Sequence, residues 1–524
     1  FGLAMVIVFF CTLYRGIEEK NRIILNSVLL LLIGLSHGYT LIFSGVIASF
    51  FLFTRKSWRE NLVYLVKVYS LGVSLLAFWL LPFFMNVPYV TSYVTRWQIA
   101  SIFEVIPLIL APFFAASLAA FMLNLFDRRT LYFGYIILAC LLIYILSPSL
   151  GMLDIRWVPF VQLFMTIFGA TIVLMFIKNI KGLPLVPIIL FLVVVLWVSL
   201  NVTFIKGWIK WNYEGFENKA AWPLLQKITG HLSKTDAGRV VYEHSPAHNV
   251  FGSERVFENL PYLAKRKTLE GLYMQSSISA PFVFYIQSEI SKVCSGPFPQ
   301  YKYASLNLPA AIPHLKMFNV TQYIVRSPEA KKQAQSMPEL KLEQRFDDYE
   351  IYRLTSNDGH YVVPLAFQPV LYKTNNWKMD FFDWFRNIDI NDIHLVYLKS
   401  PGRKDQERFQ LQASALTELK RVPIKSPPPA IKETIKDEEI IFHTNLVGYP
   451  HLIKVSYHPN WKVEGAERIY LVSPSFMLVY PEKNTVRLYF GKTLYNYLGE
   501  LLSLLGLSII LVSGIIYFIH VRKT

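Results

Sequence analysis

Two apolar blocks enclose a long polar insertion in this chain, and that arrangement limits what it can fold into more than any motif does. Residues 1–204 and 497–520 are dominated by Leu, Ile, Val and Phe, whereas 205–496 is charged and mixed. Nine apolar segments stand out: Phe1 to Tyr14, Ile23 to Ser36, Gly38 to Thr54, Leu62 to Phe83, Ile99 to Phe126, Leu131 to Ser147, Trp157 to Ile177, Leu183 to Phe204 and Tyr497 to His520. A helix needs about 20 mostly apolar residues to cross a bilayer. The pattern predicts a polytopic α-helical membrane protein: eight transmembrane helices in 1–204, the first partial, and a final one with a cytoplasmic tail in 497–524. Phe1 to Tyr14 is short for a span and begins on Phe, so the true N-terminus is expected upstream. The second and third segments are short and meet at Ser36, His37 and Gly38, which predicts a tight hairpin.

Charge then sets the orientation. Fifteen Lys and Arg lie outside 205–496, and thirteen of them fall in one alternating set of loops and helix ends. These are Arg15, Lys20, Arg22, Arg55, Lys56, Arg59, Lys67, Arg128, Arg129, Lys178, Lys181, Arg522 and Lys523, which leaves only Arg96 and Arg156 opposite. Positive loops stay in the cytoplasm. The expected location is therefore the cell (plasma) membrane, multi-pass, with the polar insertion extracytoplasmic, where chemistry must proceed without cytosolic nucleotides. The formal charge of +16 does not point to nucleic acid, because about half of it belongs to the membrane sector, facing the lipid bilayer. The insertion carries 37 basic and 29 acidic residues, a difference of +8, which suits an anionic glycan or lipid headgroup and equally a merely soluble surface. Cys11 and Cys140 sit in apolar segments and Cys294 is alone in the insertion, so no disulfide is available within it.

Inside the insertion, periodicity changes twice. Asn218 to Leu232 reads as an amphipathic helix, Gly238 to Glu243 as a buried strand, Ile312 to Arg326 as helix then strand, and Tyr349 to Leu354 as a further strand. Ser245 to Ser295 reads as irregular. These predict an extracytoplasmic α/β domain over 205–360. A connecting segment over 361–437 ends in a stiff run, Pro427 to Pro429. Short alternating runs from 438 to 496 predict a small β-sandwich module.

Ionisable residues near the ends of membrane helices are the first candidates for function, since charge near hydrocarbon is costly. Asp154 and Arg156 open the segment DIRWVPF. Arg156 either holds a phosphate through its planar fork of donors or snorkels to headgroups while Asp154 caps the helix. His37 suits a base or a phosphate contact, or a backbone-bonded hairpin residue. Arg96 follows a tyrosine-rich loop, and Glu104 is expected about one helical turn inside the next span, placed to pair with Arg96 or Arg156. His244 and His248 have a four-residue spacing, but Pro246 breaks the helix that a zinc pair would need. No P-loop, dinucleotide fingerprint or nucleophile elbow occurs. Lys265, Arg266 and Lys267, beside Tyr262 and Tyr273, read as a patch for an anionic acceptor or a solvated loop. Asn201 and Asn319 lie in glycosylation sequons.

Taken in order, SHGYT, AFWLLPFF, DIRWVPF, NLPYLAKRKTLEGLYMQ, FNVTQYIV and SYHPNWKVEGA resemble membrane proteins with a 6-pyruvoyl-tetrahydropterin synthase-related domain. Those are similar in turn to YfhO-like proteins and to the GT-C glycosyltransferase superfamily. The chain lacks the clustered zinc histidines of a soluble pterin synthase, so pterin chemistry is not implied. The resemblance implies a GT-C-like membrane fold and transfer of a sugar from a polyprenyl-phosphate donor to an extracytoplasmic glycan or lipid acceptor in cell-envelope polysaccharide assembly. In such enzymes an acidic residue of the first outer loop serves as base or metal ligand. That position is expected upstream of Phe1, so no catalytic residue is assigned within the chain, no metal ligand is named, and a divalent metal stays open. Carried over are the donor-phosphate positions Arg156, Arg96 and His37, with Asp154 and Glu104 in support. The alternative is a non-catalytic membrane scaffold or glycan-binding subunit, with Trp377, Trp384 or Trp461 stacking sugars.

Overall fold

The computed structural model describes residues 1–524 apart from 54–56, 93–95, 98, 124–126, 179–184, 236–237, 272–276, 295 and 522–524. Arg55, Lys56, Lys181, Arg522, Lys523 and Tyr273 thus lie outside the described residues, as does the side chain of Lys178. The chain divides into two compact units. One holds Phe1–Pro88, Ser92–Ile205 and Lys492–Thr524, the other Tyr89–Thr91 and Lys206–Gly491.

The first unit is helical. Among the described residues, four helices are long and apolar enough to cross a membrane: Trp58–Tyr89, Arg128–Leu150, Asp154–Leu174 and Leu494–His520. Val186–Asn201 and Phe204–Tyr213 make a fifth only if taken together, with a 62° bend between them. The segment read as one span from Ile99 to Phe126 is broken into Ile102–Val105, Leu108–Leu110 and Ala111–Leu123. Pro107 falls at that break, where it has no N–H to continue the ladder. An aromatic core holds the unit together, with Phe10 stacked on Tyr132 at 5.0 Å and Phe43 on Phe160 at 4.1 Å. Its exterior is apolar too, as at Leu138, Leu192, Leu505 and Ile516. An apolar surface of that kind is stable in lipid and not in water.

The last helix, Leu494–Val521, lies against Trp58–Asn86 through small residues. A Cβ on Gly499 would come within 2.4 Å of the Ala77 carbonyl oxygen, so only glycine permits this approach. Ser74 donates to the Leu502 carbonyl at 2.7 Å, and Ser503 returns a bond to the Ser74 carbonyl at 3.0 Å.

The second unit contains three sheets. Strands β1 (Arg239–Tyr242), β2 (Lys267–Thr268), β3 (Val320–Val325), β4 (Leu340–Phe346) and β5 (Tyr349–Leu354) form a mixed sheet in the order β2-β1-β3-β5-β4. β1 runs parallel to β2 and β3, while β5 is antiparallel to both β3 and β4. Leu225, Ile228 and Leu232 of helix Trp222–Leu232 pack with Val240, Tyr242, Ile324 and Ile351 of the sheet.

The segment 361–437 is folded, unlike the connector read from sequence. It supplies β6 (Val362–Pro364), β7 (Val370–Tyr372), β8 (Leu395–Tyr397), β9 (Gln412–Ala413) and the helix Trp377–Arg386. Next come β10 (Ile431–Ile435), β11 (Glu439–Thr444), β12 (His451–Ile453), β13 (Trp461–Glu464), β14 (Tyr470–Val472), β15 (Phe476–Val479) and β16 (Thr485–Phe490). A four-stranded sheet, β10-β11-β16-β13, presents Ile440, Phe442, Val486 and Leu488 to a shared core. The opposing side chains Val362, Ile453, Met477 and Val479 come from the seven-stranded sheet β6-β12-β15-β14-β8-β7-β9. The sandwich therefore begins at β6, and the 438–496 module is only part of it.

Candidate functional site

Four of the five site residues expected from sequence gather at one end of the helical unit. Helix Ile23–Ser36 ends at His37, whose extended backbone starts helix Gly38–Ser49. The Thr40 hydroxyl donates to the His37 carbonyl at 2.5 Å and closes the hairpin. Two residues on from His37, the Tyr39 hydroxyl accepts from the Leu153 N–H at 2.7 Å, and its ring meets Trp157 edge-on at 6.1 Å. This ties the hairpin to the start of Asp154–Leu174. Gly151, at φ 68°, makes the left-handed turn that brings the chain into that start.

Asp154 is 3% exposed and is spent on backbone. Its two carboxylate oxygens each accept from the Trp97 N–H at 3.1 Å, and Oδ1 also accepts from the Ile155 N–H at 2.7 Å. A side chain bound to backbone donors on two segments of the chain acts as a strut. Its effect is to fix the loop carrying Arg96 and Trp97 beside the turn carrying Arg156. Both guanidiniums are exposed, and among the described residues neither has a hydrogen-bond or ion-pair partner. Arg156 acts electrostatically on His37 and Tyr39, and Arg96 and Asp154 both act on Tyr144. Tyr144 and Trp157 line a cavity of about 360 Å³ with Ser101, Val105 and Val158. The arrangement holds two permanent cations with planar donor forks at the same end of the helical unit as His37, and such forks suit an anionic group.

Glu104 does not join them. It sits in the short helix Ile102–Val105, exposed, and its Oε1 accepts from the Ala100 N–H at 3.2 Å. Among the described residues it makes no ion pair with Arg96 or Arg156, because Pro107 breaks the span that was expected to carry it.

A second polar group lies at the carboxyl ends of the parallel strands β2, β1 and β3, where ligands of α/β sheets commonly sit. Glu243 follows β1 and accepts from the N–H groups of Arg326 and Ser327, both at 2.8 Å, just past β3. His244 Nε2 is 2.7 Å from Glu270, which follows β2. The second oxygen of Glu270 and the Tyr242 hydroxyl are buried with no hydrogen-bond partner among the described residues. His248, 1% exposed, is held to a value of about 4, chiefly by burial. A carboxylate on one ring nitrogen fixes the tautomer and orientation of His244. Sequence reading considered His244 and His248 only as metal ligands; the useful signal was the position of His244 and Glu270 just past two strands. Among the described residues no group of three or more His, Cys, Asp or Glu could hold a metal ion.

Other sequence candidates have structural roles. Arg266, 1% exposed, donates to the Leu232 and Thr235 carbonyls at 3.3 and 2.6 Å, which leaves Lys265 and Lys267 as the exposed cations of that run. Asn319 is fully buried, its amide donating to the Gly359 carbonyl at 2.7 Å, and cannot be glycosylated in the fold. Trp384 donates to the Ile393 carbonyl inside the core and Trp377 stacks on Tyr397, whereas Trp461 stays half-exposed.

The family model described as a domain of unknown function (DUF8559) matches residues 226–368. That stretch includes the whole five-stranded sheet and the His244–Glu270 pair. No curated protein and no solved structure matches the chain.

Proposed function

We propose that this membrane protein is a glycosyltransferase of GT-C type that moves a sugar from a polyprenyl-phosphate donor to a glycan or lipid acceptor outside the cytoplasm. The supporting observation is the Asp154 strut, which fixes the loop of Arg96 beside the turn of Arg156, two guanidiniums with no hydrogen-bond or ion-pair partner among the described residues. In such a transfer the acceptor hydroxyl attacks the anomeric carbon while the bond from that carbon to the phosphate oxygen breaks, and the hydroxyl's proton passes to the departing phosphate. The leaving phosphate gains charge, which fixed cations stabilise in a water-poor site. Arg156 and Arg96 take that role, and Asp154 is a positioning residue. A lipid-linked donor carries its own leaving group, so no nucleotide is required. Resemblance of the ordered motifs SHGYT and DIRWVPF to this superfamily is the other support.

The test is binding of polyprenyl phosphate to the full chain in nanodiscs, compared with the uncharged polyprenol. Arg156→Ala is expected to weaken phosphate binding about tenfold or more, as hydrogen bonds to charged groups do. Arg156→Lys should recover only part of that loss, because a point charge lacks the fork. Equal affinity for polyprenol, or an unchanged affinity in Arg156→Ala, would remove the proposal.

A further inference from the structure

We infer that a groove in the sheet-containing unit binds a glycan free of acidic groups, through aromatic walls and two carboxylates. The groove holds about 480 Å³, within the range of small-molecule sites. Tyr89 and Tyr457 form one wall, ring centres 5.6 Å apart. Trp461 and Phe490, cross-strand partners on β13 and β16, form a corner, with rings at 90° and 5.6 Å. Asp437 and Glu438, exposed in the turn between β10 and β11, complete it.

Each wall is fixed. The segment after Tyr89 is tied down by the Thr91 hydroxyl donating to the Ser277 carbonyl at 2.6 Å and by Lys378 donating to the Val90 carbonyl at 2.7 Å. β13 is an edge strand, so Trp461 stands where a ligand can reach it. The His458 ring packs on Phe490 at 5.3 Å, and its Nδ1 accepts from the Asn460 N–H at 3.2 Å, which leaves Nε2 as the donor nitrogen. Burial lowers the His458 value.

Three features select the ligand class. Sugar rings present C–H faces that lie flat on Trp and Tyr, which supply contact area with a polar tip. Their hydroxyls supply donors, and carboxylates are acceptors only. Charge makes the discrimination. Residues 205–496 have 37 basic against 29 acidic side chains, yet among the described residues lining the groove the only charged ones are Asp437 and Glu438. A phosphate or uronate entering there would meet two carboxylates and no cation among the described lining residues, the nearby Lys378 being bonded to the Val90 carbonyl, a repulsive element that favours neutral or amino sugars. The mildly basic net charge of the insertion therefore misleads about this surface.

The inference does not rest on the transfer reading, since binding in the groove requires neither Arg156 nor a lipid donor. The experiment is calorimetry on the full chain in detergent with maltohexaose, cellohexaose, chitosan hexamer and oligogalacturonate, preceded by a glycan array. A neutral or amino glycan should bind, Trp461→Ala should weaken it about tenfold or more, as loss of a buried aromatic anchor does, and Arg156→Ala should leave it unchanged. Glu438→Gln, at an exposed turn, should weaken binding severalfold without moving thermal unfolding, and Trp461→Phe should recover part of the Trp461→Ala loss. Tightest binding by oligogalacturonate, no binding to any neutral or amino glycan, or equal affinity in Trp461→Ala and Glu438→Gln would each overturn it.

Discussion

Acid should destabilise the sheet-containing unit through two buried histidines. His394 is 7% exposed, with Nδ1 2.9 Å from the Ser473 carbonyl and its ring 5.5 Å from Trp384. Burial, the largest cause, lowers it from 6.5 to about 4. His248, enclosed by Phe257 and Tyr349, is likewise lowered to about 4. Between pH 6.5 and 4 the unfolded chain binds a proton at each histidine that the folded chain refuses, so stability rises with pH. It is complete above 6.5 and falls as pH drops towards 4. At pH 4.5 each histidine takes away about 2.5 kcal/mol, and the pair about 5. Urea unfolding of the full chain in detergent, followed by tryptophan fluorescence at pH 7 and 4.5, measures the difference. Comparison with His394→Asn and His248→Phe isolates the effect, because a pH-independent loss of packing shifts both conditions equally. Each variant should lose about half of the parent's acid sensitivity. If both keep the parent's pH slope, the burial argument is wrong.

The buried pair His314 and Glu289, 2.7 Å apart, has His314 Nε2 held 2.8 Å from the Phe385 carbonyl. His314→Ala leaves Glu289 buried without its partner and should cost about 3–5 kcal/mol in the same urea assay, whereas Glu289→Gln, which keeps a hydrogen-bonding group, should cost much less. Gly499→Leu should detach the final helix from Trp58–Asn86, since even a Cβ meets the Ala77 carbonyl oxygen at 2.4 Å. Overpacking of that kind costs about 1–3 kcal/mol or more, readable as a lowered Tm of the detergent-solubilised protein. Asp154→Ala should lose about 1.5–3 kcal/mol per charge-assisted bond and free the Arg96 loop. Faster maleimide labelling of buried Cys140 on heating would report the first effect and proteolysis near Trp97 the second; unchanged behaviour in both would show that Asp154 is no strut.

Strand length and composition decided what was legible. Tyr349–Leu354 and the strand in Ile312 to Arg326 stand out in sequence as six-residue runs rich in β-branched and aromatic residues, although Val320–Val325 is buried at every position and Tyr349–Leu354 at five of six. The helix Ala280–Ile290 is hidden inside a stretch that reads as irregular, because all eleven of its residues are buried and no amphipathic period exists to find. Within 361–437 the strands β6 to β9 are two or three residues long, too short to show a period, and β10 is the one that reaches five.

The candidate site divides along the same line. Charge in an apolar context is a local property, so His37, Arg96, Asp154 and Arg156 could be picked out singly. What joins them is backbone: the Trp97 and Leu153 N–H groups bond to Asp154 and Tyr39, across 57 and 114 positions of sequence. Every residue except proline carries such a donor, so no residue type marks it. Glu104 is the instructive error, since its pairing with an arginine was argued from charge alone and Pro107 decides the geometry instead. The same holds for His244 and Glu270, 26 positions apart and joined only because β1 and β2 run side by side. Composition thus nominates residues at both places, and the topology that brings them together determines whether each serves as ligand, strut or surface charge.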